Sequence, residues 1–158
     1  MSRPLVSVIT VTRNSARYIE ETIQSVLAQD YPAIEHIVVD GASTDDTVAI
    51  LKRHPHLRWI SEPDRSPEEA MEKGFRLSRG SVINILNSDD RYCSPRAVAV
   101  MVAALERRPD ARWAYGSFYT IDGEGRRMLA LGSRQVDYRF MLRNPPEKAG
   151  PRLTPEKK

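Results

Sequence analysis

The chain is 158 residues long, 41% hydrophobic and 28% charged, values that fit a single soluble domain with a real core. Its net charge of +3 is spread over Arg-rich helical stretches and a Lys-ended tail, which excludes nucleic acid as the default partner. A lone cysteine, Cys93, excludes a disulfide framework and a cysteine-based zinc site, and points to a reducing compartment, most simply a cytoplasm. Met1-Ser2-Arg3-Pro4 carries no signal-peptide pattern and passes directly into residues 5–12, Leu-Val-Ser-Val-Ile-Thr-Val-Thr, a strand dense in β-branched residues. Arg13-Asn14-Ser15 breaks it, with Asn14 or Ser15 able to cap the next helix. Residues 16–28 repeat Ile19, Ile23, Val26 and Leu27 at helical spacing, and Asp30-Tyr31-Pro32 ends that run.

Residues 35–40 form a second strand that finishes on Asp40, and Gly41-Ala42-Ser43 turns the chain. Ser43 or Thr44 can cap a helix carrying Val48, Ile50 and Leu51, with Asp45 and Asp46 suited to its positive end. Residues 57–61 read as a third strand, followed by the polar loop Glu62-Pro63-Asp64-Arg65-Ser66. Pro67 fits the first position of a helix that runs to about Leu77. Residues 82–86, Val-Ile-Asn-Ile-Leu, form a strand buried on both faces, which ends in Asn87-Ser88-Asp89-Asp90. A helix over 96–106, a strand over 113–121, a turn at 122–125 and a partner strand over 127–131 complete the folded part. After about residue 142 the composition turns Pro- and Lys-rich, so the expected division is a domain over 1–142 and a disordered tail over 143–158.

The first ninety residues thus alternate β-α-β-α-β-α-β, which predicts a parallel sheet with right-handed crossovers and helices on both faces. Open α/β sheets bind ligands outside the carboxyl ends of their strands. Here those ends gather Thr10, Thr12, Asp40, Asp64, Asp89 and Asp90 along one rim. Neighbouring carboxylates repel one another unless a cation or a donor-rich ligand relieves them. Adjacent Asp89 and Asp90 suit Mg²⁺ or Mn²⁺, which favour hard oxygen ligands and share them with phosphates. A nucleotide diphosphate with its metal answers both needs. Neither Gly-x-Gly-x-x-Gly nor Gly-x-x-x-x-Gly-Lys-Ser/Thr occurs, which excludes an ordinary dinucleotide fold and a P-loop NTPase. The scattered His36, His54 and His56 have no ligand spacing, Cys93 has no histidine beside it, and Trp59, Trp113 and Tyr115 read as core.

Leu5-Val6-Ser7-Val8-Ile9-Thr10-Val11-Thr12-Arg13-Asn14, Val38-Val39-Asp40-Gly41-Ala42-Ser43-Thr44-Asp45, Ser61-Glu62-Pro63-Asp64-Arg65 and Leu86-Asn87-Ser88-Asp89-Asp90 resemble the motifs of family 2 glycosyltransferases. The resemblance runs from about Pro4 to about Asp122. It implies a Rossmann-like GT-A fold, a three-layer α/β/α arrangement with a mostly parallel sheet. It also implies inverting, metal-assisted hexosyl transfer from a nucleotide-diphosphate sugar, UDP-linked by preference, to a glycan or lipid-linked acceptor in polysaccharide biosynthesis. By position, Thr10 and Thr12 would line the nucleotide pocket, Asp40 would bond the base, and Asp64 and Arg65 would meet nucleotide and phosphates. Asp89 would lie by the ribose and Asp90 would hold Mn²⁺ or Mg²⁺.

Three departures accompany the resemblance. Ser66-Pro67-Glu68-Glu69-Ala70-Met71-Glu72-Lys73-Gly74 stands where Gly-Ile-Tyr-Asp-Ala-Met-Asn-Lys-Gly is usual, and Tyr115-Gly116-Ser117 where Tyr-Gly-Asp is common. The general base that takes the acceptor proton should follow residue 142, where the chain is truncated or divergent. Asp122 and Asp137 are available carboxylates, but neither has positional support, so no base is assigned. An inactive nucleotide-sugar binding module is therefore the alternative expectation. No apolar run reaches the roughly 20 residues that span a bilayer. Association with the inner face of a membrane, and self-association through a sheet edge left bare by missing strands, stay open.

Overall fold

Parallel strands rich in valine and isoleucine require apolar cover on both sides, and this chain supplies it unequally. The computed structural model describes residues 3–114, 116–122, 126–131 and 141–143. The strands are β1 (Val6–Thr12), β2 (Ile34–Asp40), β3 (Arg58–Ser61), β4 (Val82–Ile85), β5 (Trp113–Ala114), β6 (Phe118–Ile121), β7 (Arg127–Leu131) and β8 (Met141–Arg143). The helices are α1 (Ile19–Leu27), α2 (Thr47–Leu51), α3 (Pro67–Leu77) and α4 (Ala97–Arg107). The main sheet runs β3-β2-β1-β4-β8-β5, while β6 and β7 pair as a separate hairpin. β1 through β4 are parallel; β8 is antiparallel to both β4 and β5.

Register decides which helix covers which face. Val8 pairs with His36, Thr10 with Val38, and Val6 with Val82, so these side chains share one side. On that side Val6, Val8, Val82 and Leu86 pack with Val26 of α1 and with Val98, Val102 and Leu105 of α4. Val38 packs with Ile19 and Ile23 of α1 and Ile50 and Leu51 of α2. The other side belongs to α3. Gly74 comes so close that an added Cβ would lie 2.4 Å from Ile9 Cγ2.

Several boundaries differ from the sequence reading. Residues 113–121 are not one strand: β5 joins the main sheet and β6 the hairpin, because Gly116-Ser117 separates two apolar runs. Trp113, expected in the core, is 51% exposed. Neither Asn14 nor Ser15 caps α1 with its side chain, and neither Ser43 nor Thr44 caps α2; their polar groups go to the loops. Ser66 does cap α3, accepting from the Glu69 amide, with Pro67 at the first turn. β8 pairs along β4, Val82 opposite Arg143, so the expected bare edge beside β4 is covered. Arg143, assigned to the tail, is part of that strand. The rest of the expected tail lies outside the described residues, as do Tyr115, Asp137 and the tip of the predicted turn.

Candidate functional site

The carboxyl ends of β1 and β2 are adjacent, Thr12 opposite Asp40. Both following turns use a left-handed backbone at a non-glycine residue, Asn14 with φ 51° and Ala42 with φ 53°. Such conformations cost on the order of 1 kcal/mol or more and persist where surrounding contacts enforce them. The contacts are present. Asn14 Oδ1 accepts from the Thr44 amide at 2.8 Å, and the Asn14 amide donates to Ser43 Oγ at 2.7 Å. Asp45, expected to serve the dipole of α2, accepts from the first amide of that helix, Thr47, and also from the Ala16 amide before α1, each at 3.0 Å.

Asp40 is fully buried, and its carboxylate is engaged by its own surroundings. Oδ2 accepts from the Ser43 amide at 3.0 Å and from Ser61 Oγ at 2.6 Å, and Oδ1 accepts from Ser43 Oγ. Thr10 is also buried, and its hydroxyl meets His36 Nε2 at 3.0 Å. Burial, with smaller contributions from His56 and His54, depresses the His36 pKa from 6.5 to about 3. The imidazole is therefore neutral, a structural partner of Thr10.

Thr12 and Asp64 are brought together on the rim. They line a cavity of about 300 Å³ with Arg13, Gly41, Arg65 and Ser66 among its walls. Asp64 Oδ1 receives Lys73 Nζ at 2.5 Å. Its Oδ2, like Thr12 Oγ1, is buried with no hydrogen-bond partner. Arg65 is 91% exposed, its guanidinium and amide both meeting Glu69 Oε2 at 2.9 Å. Two arginines among the lining residues, Arg13 and Arg65, suit an anionic ligand.

Asp89 and Asp90 line a second cavity of about 530 Å³, walled also by Tyr92, α4 and β6. Asp89 is exposed and Asp90 half-buried. The Asn87 side-chain amide donates to Asp90 Oδ2 at 2.9 Å, orienting that carboxylate. The loop is held from behind by Thr22 of α1, whose hydroxyl is shared between the Ser88 and Asp90 carbonyls at 2.8 and 2.7 Å. Ser15 Oγ and Ser88 Oγ meet at 2.8 Å, joining the β1 turn to the β4 turn. Among the described residues no three of His, Cys, Asp and Glu cluster to hold a metal. The oriented carboxylate of Asp90, with Asp89 beside it, offers hard oxygen ligands of the kind that Mg²⁺ or Mn²⁺ would take.

Sequence reasoning passed over Thr22, gave Ser15 only a capping role, and quoted Lys73 within a motif without a role. Thr22 lies on the buried stripe of an amphipathic helix, and only an unexpected hydroxyl on an apolar face could have marked it. Arg13, quoted within a motif but given no role, is the cation directly after β1.

Comparison with known proteins matches these features. The profile of Glycosyl transferase family 2 covers residues 7–153. An uncharacterized glycosyltransferase of Mycobacterium tuberculosis is 40% identical over 120 residues, 73% of this chain and 46% of that protein. Chondroitin synthase of Escherichia coli is 33% identical over 126 residues, 77% of this chain and 18% of the synthase. The chain therefore spans less than half the length of these relatives. Among solved structures, mannosyltransferase PcManGT from Pyrobaculum calidifontis, in complex with GDP-Man and Mn²⁺, superposes with a TM-score of 0.68 at 31% identity. That match covers 73% of this chain and 36% of the other. S. aureus TarS in complex with UDP-GlcNAc shares the fold, with a TM-score of 0.62 at 24% identity over 69% of this chain and 33% of TarS. With the parallel sheet, the strand-end carboxylates and the family profile in agreement, the chain belongs to glycosyl transferase family 2 and has its GT-A fold.

Proposed function

We propose that this chain binds a nucleotide-diphosphate sugar and forms the donor side of an inverting, metal-assisted glycosyltransferase acting on a glycan or lipid-linked acceptor. The observation that carries this reading is the pair of buried, unpartnered atoms, Thr12 Oγ1 and Asp64 Oδ2, beside one cavity at the strand ends. Leaving a polar atom buried and unpaired costs about 1–3 kcal/mol. A nucleotide with N–H or O–H groups removes that cost on binding. Arg13 and Arg65 supply charge for the diphosphate, and the Asn87-oriented Asp90, beside Asp89, would hold Mn²⁺ or Mg²⁺. When bound, the metal neutralises charge that grows on the departing diphosphate.

Inverting transfer brings an acceptor hydroxyl to the anomeric carbon opposite the diphosphate. The new C–O bond forms as the sugar–phosphate bond breaks, and the hydroxyl proton passes to a base. The larger cavity beside Asp89 and Asp90 is the space for sugar and acceptor. Asp122 is half-buried and held by Arg126, whose amide and guanidinium donate to it at 2.9 and 2.7 Å. That engagement favours a second reading, a nucleotide-sugar binding module without turnover. No helix among the described residues is long and apolar enough to cross a membrane; a cytoplasmic place at the inner membrane face is part of the proposal.

Calorimetric titration of UDP, GDP and TDP, with and without Mn²⁺, tests the reading on the wild type and Asp90→Ala. Binding that needs both Mn²⁺ and Asp90 supports it, and hydrolysis of the donor sugar then separates enzyme from inactive module. Absence of binding by all three nucleotides overturns it.

A further inference from the structure

We infer that Asn84 and Tyr92 are positioning residues for the bound metal, their side chains forming a staple that fixes the loop carrying Asp89 and Asp90. This rests on the donor-site reading above. Asn84 lies within β4, a strand whose other residues are Val82, Ile83 and Ile85. It stands opposite Val8, on the side of the sheet where Val6, Val8 and Val82 meet α1 and α4. There it is 3% exposed. A polar side chain buried among apolar ones costs folding free energy unless hydrogen bonds offset it. Packing alone would favour an aliphatic residue here. The Tyr92 hydroxyl donates to Asn84 Oδ1, a bond made across the whole loop.

That bond is the outer of two closures around the carboxylates. The inner one is a turn, in which the Asp90 amide donates to the Asn87 carbonyl at 3.1 Å and Asn87 Nδ2 to Asp90 Oδ2 at 2.9 Å. The outer one joins the strand before the loop to Tyr92, just beyond Asp90. Tyr92 is also held through its backbone, its amide donating to Ser25 Oγ of α1 at 3.1 Å. It is thus fixed between helix and strand, and both stems of the loop are tied. A metal gains affinity when the groups behind its ligands hold them in place, because loose stems would have to be ordered on binding. Asn84, Tyr92, Asp89 and Asp90 line one cavity, so the staple borders the same space as the carboxylates.

The test is calorimetric titration of UDP, GDP and TDP into the full chain over a series of Mn²⁺ concentrations. It reads the Mn²⁺ concentration that half-saturates nucleotide binding, in wild type, Tyr92→Phe, Asn84→Ala and the double variant. Tyr31→Phe is the control. It removes a hydroxyl bonded to the Pro4 carbonyl, in the same core but at the opposite end of β1 from the strand-end rim. Tyr92→Phe should raise the half-saturating Mn²⁺ about tenfold, the low end for groups that orient metal ligands. Asn84→Ala should raise it at least as far, and the double variant no further than Asn84→Ala, because the same bond is lost in each. Tyr31→Phe should lower the urea midpoint and leave the Mn²⁺ requirement unchanged. An unchanged Mn²⁺ requirement in folded Tyr92→Phe, an equal rise in Tyr31→Phe, or additive effects in the double variant overturns the inference while the donor site stands. If Tyr92→Phe does not fold, an unchanged requirement in Asn84→Ala overturns it alone. A wild type that binds no nucleotide, or binds without need of Mn²⁺, overturns the inference and the donor reading together.

Discussion

Buried His36 gives this fold a stability loss in mild acid that can be calculated and assigned. The imidazole is 3% exposed, hydrogen-bonded to Thr10 through Nε2 and unpartnered at Nδ1. Burial is the main cause that lowers its pKa from 6.5 to about 3. The folded chain therefore excludes a proton that the unfolded chain accepts. The stability this group contributes is complete above pH 6.5 and is lost as pH falls toward 3, at about 1.4 kcal/mol per pH unit. From pH 6.5 to 4.5 the loss is about 3 kcal/mol, a large fraction of the roughly 5–15 kcal/mol that holds a domain together. His56, also lowered by partial burial and by His54, acts in the same direction, so the difference between variants is the clean readout. Urea denaturation of wild type and His36→Gln at half-unit steps between pH 7.5 and 4.5 measures it; the glutamine amide can keep the bond to Thr10. His36→Gln should be less stable at pH 7.5 and lose much less on acidification. Parallel curves would refute the reasoning, since the slope would then belong to other groups.

Below that window Glu35 takes over. Burial raises its pKa, but hydrogen bonds from Ser7, the Arg79 amide, Arg58 and the Arg79 guanidinium outweigh it and bring it from 4.5 to about 2. Its stabilisation is present above pH 4.5 and is lost toward 2, and Glu35→Ala should cost about 3–5 kcal/mol at pH 7 by stranding those donors, as measured by urea midpoint. Gly74→Ala places a methyl 2.4 Å from Ile9 Cγ2; a loss of about 1–3 kcal/mol is expected from overpacking in a thermal melt. Thr22→Val removes the hydroxyl shared by the Ser88 and Asp90 carbonyls. It should weaken Mn²⁺-dependent nucleotide binding severalfold by calorimetry, with a stability loss of about 1 kcal/mol.

The alternating pattern made the first four strands and their helices legible, because strands buried on both faces read as continuous apolar runs and amphipathic helices as a 3.6-residue stripe. What the pattern could not carry was pairing between distant segments. β8 follows from its register beside β4, Ile83 opposite Leu142, and three residues at a compositional boundary give no periodic signal. The helix caps misled for a related reason. Asn14 and Ser43 both have capping chemistry, yet each can equally bond a neighbouring loop. Tertiary proximity decides between the two, and it favoured the loops. The rim carboxylates were visible as strand-end acids, while their differing engagement depended on which donors the fold brought near.

That difference in engagement is informative about the site. Five acidic residues stand along the rim and its turns, and the fold satisfies them to different degrees. Asp40 accepts from Ser43 and Ser61 and shapes the turn; Asp45 binds a loop amide and the first amide of α2. Asp64 is half engaged, one oxygen on Lys73 and the other buried without a partner. Asp89 is exposed beside the oriented carboxylate of Asp90. A rim serving only structure would be expected to satisfy every buried oxygen, as it does at Asp40, because each omission costs folding free energy. Among the described residues, the buried side-chain oxygens left without a partner are those of Thr12 and Asp64. The Ser15–Ser88 contact then ties the turn after β1 to the Asp89–Asp90 loop, so a base held at the first and a diphosphate at the second would rest on one connected support. The same chain of contacts explains why Thr22, distant from both cavities in sequence, should influence nucleotide affinity.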